Sequence, residues 1–266
     1  MSVMNQREYV KHQYSSDNNL SARIKLHEKH STNKKGFYPW LFELYRFEKN
    51  DSILDLGCGN AMQWKGRTSG LPAGSSLTLS DYSEGMLNAA KENLALECGN
   101  ISFFQVDIQR IPFASQSFNT VIANHMLYHV PDLDKALSEA HRVLKTGGWF
   151  YASTVSGGGI RQFLHDTMVK LELDADAFAQ GLSFTMQNGG DILSRYFPSV
   201  KRYDYIDSLA ITETHDLMDW LKSSMSASDN IKEKSDTIYE YFEKIRIAEG
   251  AINIPKEACL FVCTAG

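Results

Sequence analysis

Residues 52–62 read Ser-Ile-Leu-Asp-Leu-Gly-Cys-Gly-Asn-Ala-Met, and the fold of this 266-residue chain follows from them. The short apolar run at 53–56 indicates a buried parallel strand, with Asp55 inside it. Gly57 and Gly59 come next, and glycine at both positions allows a tight turn whose backbone approaches a ligand closely. The stretch therefore predicts a strand that ends in a binding turn for a nucleotide-like cofactor.

Strand and helix patterns alternate downstream of this stretch. Ser83 and Asp132 stand where helix N-caps are expected, since their side chains accept hydrogen bonds from first-turn N–H groups. Alternating units of this kind, joined by right-handed crossovers, predict a doubly wound, mostly parallel α/β sheet. The predicted strands are 53–56, 76–80, 101–106, 118–124 and 149–154, and the predicted helices are about 60–67, 84–97 and 132–144.

Polar residues follow three more of the predicted strands. Asp81 ends the second strand, Asp107 and Ile108 follow the third, and Asn124 and His125 end the fourth. In a doubly wound sheet, ligands bind at the carboxyl ends of the strands, so these side chains are expected to meet at one edge. An Asp at a strand end is often only a turn former or a helix cap. The coincidence at four matching ends favours a cofactor site.

Five motifs within residues 51–154 carry a family resemblance. They are Ile-Leu-Asp-Leu-Gly-Cys-Gly (53–59), Leu-Ser-Asp-Tyr-Ser-Glu-Gly-Met (79–86), Gln-Val-Asp-Ile-Gln-Arg-Ile-Pro-Phe (105–113), Ser-Phe-Asn-Thr-Val-Ile-Ala-Asn (117–124) and Arg-Val-Leu-Lys-Thr-Gly-Gly (142–148). This segment resembles the core of class I S-adenosylmethionine-dependent methyltransferases, of the small-molecule type related to ubiquinone and menaquinone biosynthesis enzymes. The resemblance implies a Rossmann-like, seven-stranded sheet and S-adenosylmethionine as cofactor.

The resemblance also implies roles for individual residues. The glycine turn would hold the methionine part of the cofactor, the acid after the second strand would bind the ribose, and the Asp-Ile pair after the third would contact the adenine. The cofactor-binding residues expected within the core are Asp55, Gly57, Cys58, Gly59, Asp81, Tyr82, Met86, Asp107, Ile108 and Asn124.

Two positions depart from the family pattern, and a third disfavours another cofactor. Ala61 stands where a third glycine is usual and is expected to permit binding, while Asn119 replaces a usual Asp and is expected to be structural. A nicotinamide-binding turn requires Gly-x-Gly-x-x-Gly, but Met62 occupies the last position, where a close helix–strand contact needs glycine. A nicotinamide-dependent dehydrogenase is therefore disfavoured.

Candidates for chemistry lie just after the fourth strand. Methyl transfer is an in-line displacement in which orientation alone is worth about 7–11 kcal/mol, and a base is needed only where the acceptor loses a proton. His125 and His129 are four residues apart and would share one face of a helical turn, with Tyr128 beside them. Histidine suits proton transfer near neutral pH. A packed or capping role is the alternative for each histidine.

The flanking segments predict a cap and a lid around the core. The domains expected are a helical cap (1–50), the cofactor-binding core (51–155), a helical lid with one or two core strands (156–250) and a last core strand (251–266). Because caps of this type often close over the cofactor in relatives, His30 and Asn33 are further cofactor-binding candidates. Flanking elements are predicted as helices 160–173, 191–196 and 214–249 and strands 200–205, 209–211 and 258–264.

Composition and charge disfavour some classes of binding partner. Apolar residues make up 43% and charged residues 22%, as in ordinary globular proteins. Residues 1–50 carry a net charge of +4 and the remainder −9, whereas nucleic-acid enzymes more often present a broad basic face. No apolar run approaches the roughly 18 residues of a membrane span, and residues 1–20 lack a signal-peptide core. We therefore expect a cytoplasmic protein without nucleic-acid or membrane partners.

The cysteines give no sign of a metal site. Cys58, Cys98, Cys259 and Cys263 include no Cys-x-x-Cys pair, and no histidine cluster accompanies them. We therefore expect no bound metal.

The sequence as a whole predicts an S-adenosylmethionine-dependent methyltransferase that acts on a small molecule. Transfer to oxygen or nitrogen is favoured over carbon, although no residue decides it. The alternatives are a regulatory module that binds the cofactor without turnover and, less favoured, a nucleic-acid methyltransferase. The methyl acceptor is not specified, and both a monomer and a dimer are compatible with the sequence.

Overall fold

A single mixed sheet runs through the parts of the chain that this computed structural model describes, residues 18–179, 181–223 and 232–266. Its strands are β1 (Ser52–Leu56), β2 (Ser76–Asp81), β3 (Asn100–Gln105), β4 (Phe118–Asn124), β5 (Leu144–Val155), β6 (Ser199–Ile211) and β7 (Ile252–Thr264). The order across the sheet is β3-β2-β1-β4-β5-β7-β6. The first five strands are parallel, and β7 is antiparallel to both β5 and β6. Strand order therefore reverses between β1 and β4, where such sheets bind ligands.

Helices cover this sheet and extend beyond it. They are α1 (Asn18–His30), α2 (Phe37–Leu44), α3 (Glu84–Asn93), α4 (Leu133–Val143), α5 (Gly159–Lys170), α6 (Asp176–Ala179), α7 (Gly189–Leu193), α8 (Thr214–Ser223) and α9 (Ser235–Glu249). The two predicted N-caps are confirmed. The Ser83 hydroxyl accepts from the Met86 N–H at 3.3 Å, and the Asp132 carboxylate accepts from the Lys135 N–H at 3.0 Å.

Both faces of the parallel strands are buried. Ile53 of β1 and Ile122 of β4 belong to one apolar cluster. Their chain neighbours Leu54 and Val121 belong to the cluster on the opposite face. Successive side chains in a strand point to opposite faces, so this alternation requires helices on both sides. The predicted doubly wound α/β fold is confirmed on this basis.

A third apolar cluster joins the segments before and after the core. It contains Leu26 of α1, Leu164 of α5, Leu217 of α8, Phe242 of α9 and Ile252 of β7. The helix that precedes the core thus shares one apolar cluster with the helices that follow it. Within the described ranges, no helix is long and apolar enough to cross a bilayer.

The helix predicted at 60–67 is wrong. Ala61 has a φ of 57°, a left-handed conformation that a right-handed helix cannot contain. Successive three-residue turns replace the helix, with N–H groups of Ala61, Trp64 and Arg67 each bonded to the carbonyl three residues earlier. The segment folds closely against the carboxyl end of β1 as a result.

Several other predicted boundaries of strands and helices differ from those in the structure. The strands predicted at 200–205 and 209–211 are one continuous strand, β6, because each of its residues has a partner in the equally long β7. β5 begins five residues earlier than the predicted 149, and α3 ends at Asn93. The helix predicted at 214–249 is α8 and α9; residues 224–231, like residues 1–17 of the predicted cap, lie outside the described ranges.

Asn119 joins two strands, which gives a first testable prediction. Its Oδ1 accepts from the Ser52 N–H at 3.1 Å and from Lys145 Nζ at 2.7 Å. Asn119→Ala is expected to lower the free energy of unfolding by about 1–3 kcal/mol, because both donors lose their acceptor. Asn119→Asp keeps an acceptor and should lose less. Urea unfolding measures both changes, and equal midpoints for Asn119→Ala and the wild type would contradict the structural role.

Candidate functional site

A cavity of about 650 Å³ opens at the carboxyl ends of β1, β2 and β4. Its volume lies within the range of small-molecule sites, about 300–1,000 Å³. The core supplies the strand ends, α1 and the loop after it form one wall, and residues 155–161 and 255–258 form another. The cavity therefore lies between the core and the segments that precede and follow it.

The glycine turn forms the floor of this cavity. Gly57 and Gly59 have φ values of 71° and 56°, which L side chains rarely adopt. A Cβ on Gly57 would lie 2.9 Å from side-chain atoms of Met126. The Cys58 N–H donates to the Ser80 carbonyl at 2.9 Å and so ties the turn to β2. Burial raises the pKa of the Cys58 thiol well above its ordinary value, so the thiol stays neutral.

Asp81 is fixed by the backbone on both sides. One carboxylate oxygen accepts from the Gly59 N–H at 2.9 Å, and the other accepts from the Ser83 N–H at 2.8 Å. Burial raises the pKa of this carboxyl above its ordinary value, and the N–H donors oppose that rise. A carboxylate has about four acceptor sites, so each oxygen retains capacity toward the cavity, which Asp81 lines. Two adjacent hydroxyl groups are suitable ligands for such a carboxylate.

Asp55 and Asn124 form a buried network through Gln63. Asp55 Oδ2 accepts from Gln63 Nε2 at 2.5 Å and from Trp64 Nε1 at 2.7 Å. Asn124 Nδ2 donates to Gln63 Oε1 at 2.7 Å and to the Tyr45 hydroxyl at 2.6 Å. Each residue keeps one oxygen, Asp55 Oδ1 and Asn124 Oδ1, that is buried and without a partner among the described residues.

The two unpartnered oxygens require a donor. Buried acceptors are almost always hydrogen-bonded in folded proteins, and both Asp55 and Asn124 line the cavity. Burial raises the pKa of Asp55 to about 7, although its bonds from Trp64 and Gln63 favour the charged form. A cationic donor suits such acceptors and favours the charged form of Asp55. The ammonium group of an amino acid has these properties.

The opposite end of the cavity is largely apolar. Ile108 and Met86 are buried in its wall, and Tyr82 lies at its rim. Asp107 also lines the cavity, and its Oδ1 accepts from the backbone and side-chain nitrogens of Gln109 at 2.9 and 3.0 Å. A flat, apolar ring with a polar edge fits this end.

The three catalytic candidates line the cavity, but not on one helix. His125 has a φ of 50°, and the short 3₁₀ helix begins only at Leu127, so the predicted shared helical face is wrong. The His125 N–H donates to the Ser153 carbonyl at 3.0 Å. Tyr128 and His129 belong to the 3₁₀ helix, with ring centres 4.6 Å apart.

His125 is neutral in its present surroundings. Its ring lies 4.8 Å from that of Phe37, and removal from water lowers its pKa to about 4, with the positive charge of Lys256 adding to the effect. An imidazole with this pKa accepts or donates hydrogen bonds without titrating near pH 7. It is a weak base under those conditions.

The two cap candidates differ. His30 is 3% exposed and directs Nε2 to Asp216 Oδ2 at 2.6 Å, while its Nδ1 faces the Thr212 N–H at 3.4 Å. It does not belong to the cavity wall, and its role as a cofactor ligand stays a prediction. Asn33 does line the cavity, although its side-chain amide donates to the Ile206 carbonyl at 3.0 Å.

Several site residues have no signal in the sequence. Gln63 and Tyr45 connect to Asn124, and Lys256 reaches the cavity from the start of β7. For Gln63, the single available signal is that it is a polar residue shortly after the glycine turn. Within the described ranges, no group of three or more His, Cys, Asp or Glu side chains is arranged to hold a metal ion.

Comparison with known proteins gives a family match over the core of the chain. Residues 54–152 match the family model described as a methyltransferase domain. The malonyl-[acyl-carrier protein] O-methyltransferase of Erwinia pyrifoliae is 34% identical over 113 residues, which are 41% of this chain and 39% of that protein. The ubiquinone/menaquinone biosynthesis C-methyltransferase UbiE of Rickettsia typhi is 35% identical over 122 residues, 43% of this chain and 49% of that protein. The matches thus span less than half the length of these relatives.

A solved structure extends the likeness of fold to the rest of the chain. The phosphoethanolamine N-methyltransferase 2 of Haemonchus contortus, in complex with phosphomonomethylethanolamine and S-adenosylhomocysteine, superposes with a TM-score of 0.61 at 15% identity, covering 100% of this chain and 61% of that one. At this identity the likeness concerns the fold alone. The family match and the curated relatives confirm the resemblance predicted from the sequence: residues 54–152 of this chain are similar to the methyltransferase domain of class I, S-adenosylmethionine-dependent enzymes.

Proposed function

We propose that this chain transfers the methyl group of S-adenosylmethionine to an oxygen or nitrogen atom of a small-molecule metabolite. One observation carries the cofactor part of the proposal. Asp55 Oδ1 and Asn124 Oδ1 are buried acceptors without partners among the described residues, in the same cavity wall as Asp81. They suit the ammonium of the methionine part, and Asp81 suits the two ribose hydroxyls.

The remaining cofactor contacts follow from the cavity wall. Ile108 and Met86 would enclose the faces of the adenine, and Asp107 would accept from its exocyclic amino group. Because Gly57 has no Cβ, Met126 packs directly against the turn, and the backbone of the turn lies in the cavity wall, where the methionine part would bind. When bound, S-adenosylmethionine supplies an activated methyl group.

The chain itself contributes position and the exclusion of water. His125, Tyr128 and His129 lie in the cavity wall beyond the glycine turn and would hold the acceptor against the methyl group. Orientation of this kind is worth about 7–11 kcal/mol in intramolecular models. The cavity is shared between cofactor and acceptor, so its volume of about 650 Å³ favours a small acceptor. The names of the relatives, which include O-, C- and N-methyl transfer, do not select the atom.

His125 is expected to position the acceptor rather than to remove its proton. His125→Asn should reduce methyl transfer by less than about tenfold, since Asn tolerates a left-handed backbone and retains a polar tip. A general base contributes about 10²–10⁴-fold. The measurement is the pH profile of methyl transfer between pH 6 and 9. Loss of more than about 100-fold, together with the disappearance of an inflection near neutral pH, would make His125 the base.

Transfer of labelled methyl groups tests the proposed function. The full-length chain and labelled S-adenosylmethionine are incubated with a panel of hydroxyl- and amine-bearing metabolites, and methylated products are separated and identified. We expect label on oxygen or nitrogen of at least one metabolite. Binding of S-adenosylhomocysteine without any labelled product would favour the non-catalytic binding module, and label on ring carbon would correct the acceptor atom.

A further inference from the structure

The start of β7 carries a lysine over the cavity. Residues 258–264 of β7 pair with β5, but residues 252–257 extend past the end of β5 and pair with β6 alone. Lys256 lies in this extension, opposite Asp207 in the β6 register, and lines the cavity. Its ammonium group is thus held above the carboxyl edge of the sheet, near the loop that follows α1.

Asp207 and Ser31 fix this ammonium group. Lys256 Nζ donates to Asp207 Oδ2 at 2.7 Å and to the Ser31 hydroxyl at 3.3 Å. The Asp207 side chain is fully buried and also accepts from the Ser31 hydroxyl and from the Asn33 N–H. An ammonium has three N–H donors, and among the described residues the third has no acceptor. Lys256 therefore retains one donor and part of its charge for a ligand in the cavity.

The surroundings of this ammonium are aromatic. The nitrogen lies 5.6 Å from the centre of the Tyr205 ring. That ring contacts Phe37 edge-on at 5.2 Å, and Phe37 lies 4.8 Å from the His125 ring. Phe37, His125 and the neighbouring Tyr128 line the cavity. Flat rings of a ligand stack well against such a wall.

We propose that the methyl acceptor is an aromatic hydroxyl compound, which Lys256 binds through its ionised oxygen. This inference rests on the proposed function and narrows it to oxygen. Other charged or titratable groups of the same cavity wall are His27, Glu28, Lys34, Lys35, Tyr38, Asp55, Cys58, Arg67, Asp81, Tyr82, Asp107, His125, Tyr128, His129, Arg161 and Glu257. A fixed ammonium favours an anion and disfavours a protonated amine, so an ammonium-bearing acceptor is the poorer ligand.

Methyl transfer to this oxygen follows the ionisation of the acceptor hydroxyl. The acceptor hydroxyl ionises beside Lys256 and loses its proton to water. A lone pair of the resulting oxygen then forms the O–CH₃ bond while the carbon–sulfur bond of S-adenosylmethionine breaks, and that electron pair remains on sulfur in S-adenosylhomocysteine. The Lys256 ammonium group stabilises the anion before the transfer.

The colour change of 4-nitrophenol on ionisation provides the test. The probe is titrated by absorbance between pH 5 and 9 in the presence of excess protein saturated with S-adenosylhomocysteine. In the wild type, we expect the pKa of the bound probe to fall by about 1 unit, the low end of the effect of an opposite charge within 4–6 Å, because Asp207 neutralises part of the Lys256 charge. Lys256→Met should abolish this shift, and Lys256→Arg should retain most of it.

Controls separate binding from folding and from the cofactor claim. Lys201→Met removes the same charge from an exposed position of β6 and should leave the shift intact. Because Lys256→Met leaves the buried Asp207 charge unpaired, Lys256→Met/Asp207→Asn is the second variant if the first unfolds. Calorimetry with S-adenosylhomocysteine is run on every variant, so failure of the cofactor site is recognised separately. An unshifted probe in the wild type, or a shift that survives in Lys256→Met or, where that variant unfolds, in Lys256→Met/Asp207→Asn, would overturn the proposal.

Discussion

Asp81→Ala is expected to weaken the binding of S-adenosylhomocysteine by about 100-fold or more. The carboxylate would lose hydrogen bonds to two ribose hydroxyls, and bonds to charged groups are worth about 1.5–3 kcal/mol each, where 1.4 kcal/mol is a factor of ten. The Gly59 and Ser83 N–H groups would also lose their acceptor, so the turn itself would loosen. Titration calorimetry at pH 7 measures the loss.

Asp81→Asn is the matched control for this change. Its amide oxygen can still accept from one of the two backbone N–H groups, whereas its NH₂ group cannot accept at all. We therefore expect an affinity between those of the wild type and Asp81→Ala. Unchanged affinity in Asp81→Ala would move the ribose site elsewhere, provided that circular dichroism shows a folded variant.

Asp55→Asn is expected to have opposite effects on binding and on stability. The Asn oxygen can still accept from Gln63 and Trp64, but an NH₂ group then replaces the unpartnered oxygen. Because the NH₂ group of the variant and the ammonium group of the ligand are both donors, S-adenosylhomocysteine should bind at least about tenfold more weakly than it binds to the wild type. In the wild type, binding should strengthen as pH rises through about 7, where Asp55 ionises.

Asp55→Asn is expected to stabilise the chain without ligand, although it weakens ligand binding. Burial raises the pKa of Asp55 in the folded protein to about 7, above the ordinary value of about 3.9 in an unfolded chain. The protonated form therefore contributes stability that is complete below about pH 3.9 and is lost progressively as pH rises from there through about 7. Without ligand, Asp55→Asn should match the wild type near pH 4 and should exceed its melting temperature by an amount that grows until about pH 7. A difference that is constant from pH 5 to 8 would contradict this account.

Asp55 thus has two expected effects, lower stability without ligand and stronger binding of a cationic ligand. A buried carboxylate with one unpartnered oxygen destabilises the chain without ligand, and the same oxygen is available for a cationic ligand. Such a balance between stability and binding is typical of functional sites.

The parts of the fold that depend on local chemistry could be predicted from the sequence. The turn at Gly57 and Gly59 and the caps at Ser83 and Asp132 rest on preferences of single residues, and the structure contains them. The helix predicted at 60–67 failed because its composition does not reveal the left-handed conformation of Ala61. β6 was predicted in two pieces because its continuity comes from pairing with β7, a long-range interaction.

The same distinction applies to the candidate site. Asp81 and Asn124 could be placed together because strand ends of a parallel sheet meet at one edge. The Lys256–Asp207–Ser31 network joins residues up to 225 positions apart, and no local pattern indicates it. His30 was expected at the cofactor because of its place in the cap, but its pairing with Asp216 of α8 turns it away from the cavity.

A crystal structure of the complex with S-adenosylhomocysteine tests the central claim most directly. We predict the ribose hydroxyls within hydrogen-bond distance of both Asp81 oxygens, about 2.6–3.2 Å, and the ammonium between Asp55 Oδ1 and Asn124 Oδ1. The sulfur should then face His125 and the side of the cavity that Lys256 lines. Ligand bound outside this cavity, or an ammonium directed away from Asp55 and Asn124, would contradict the account.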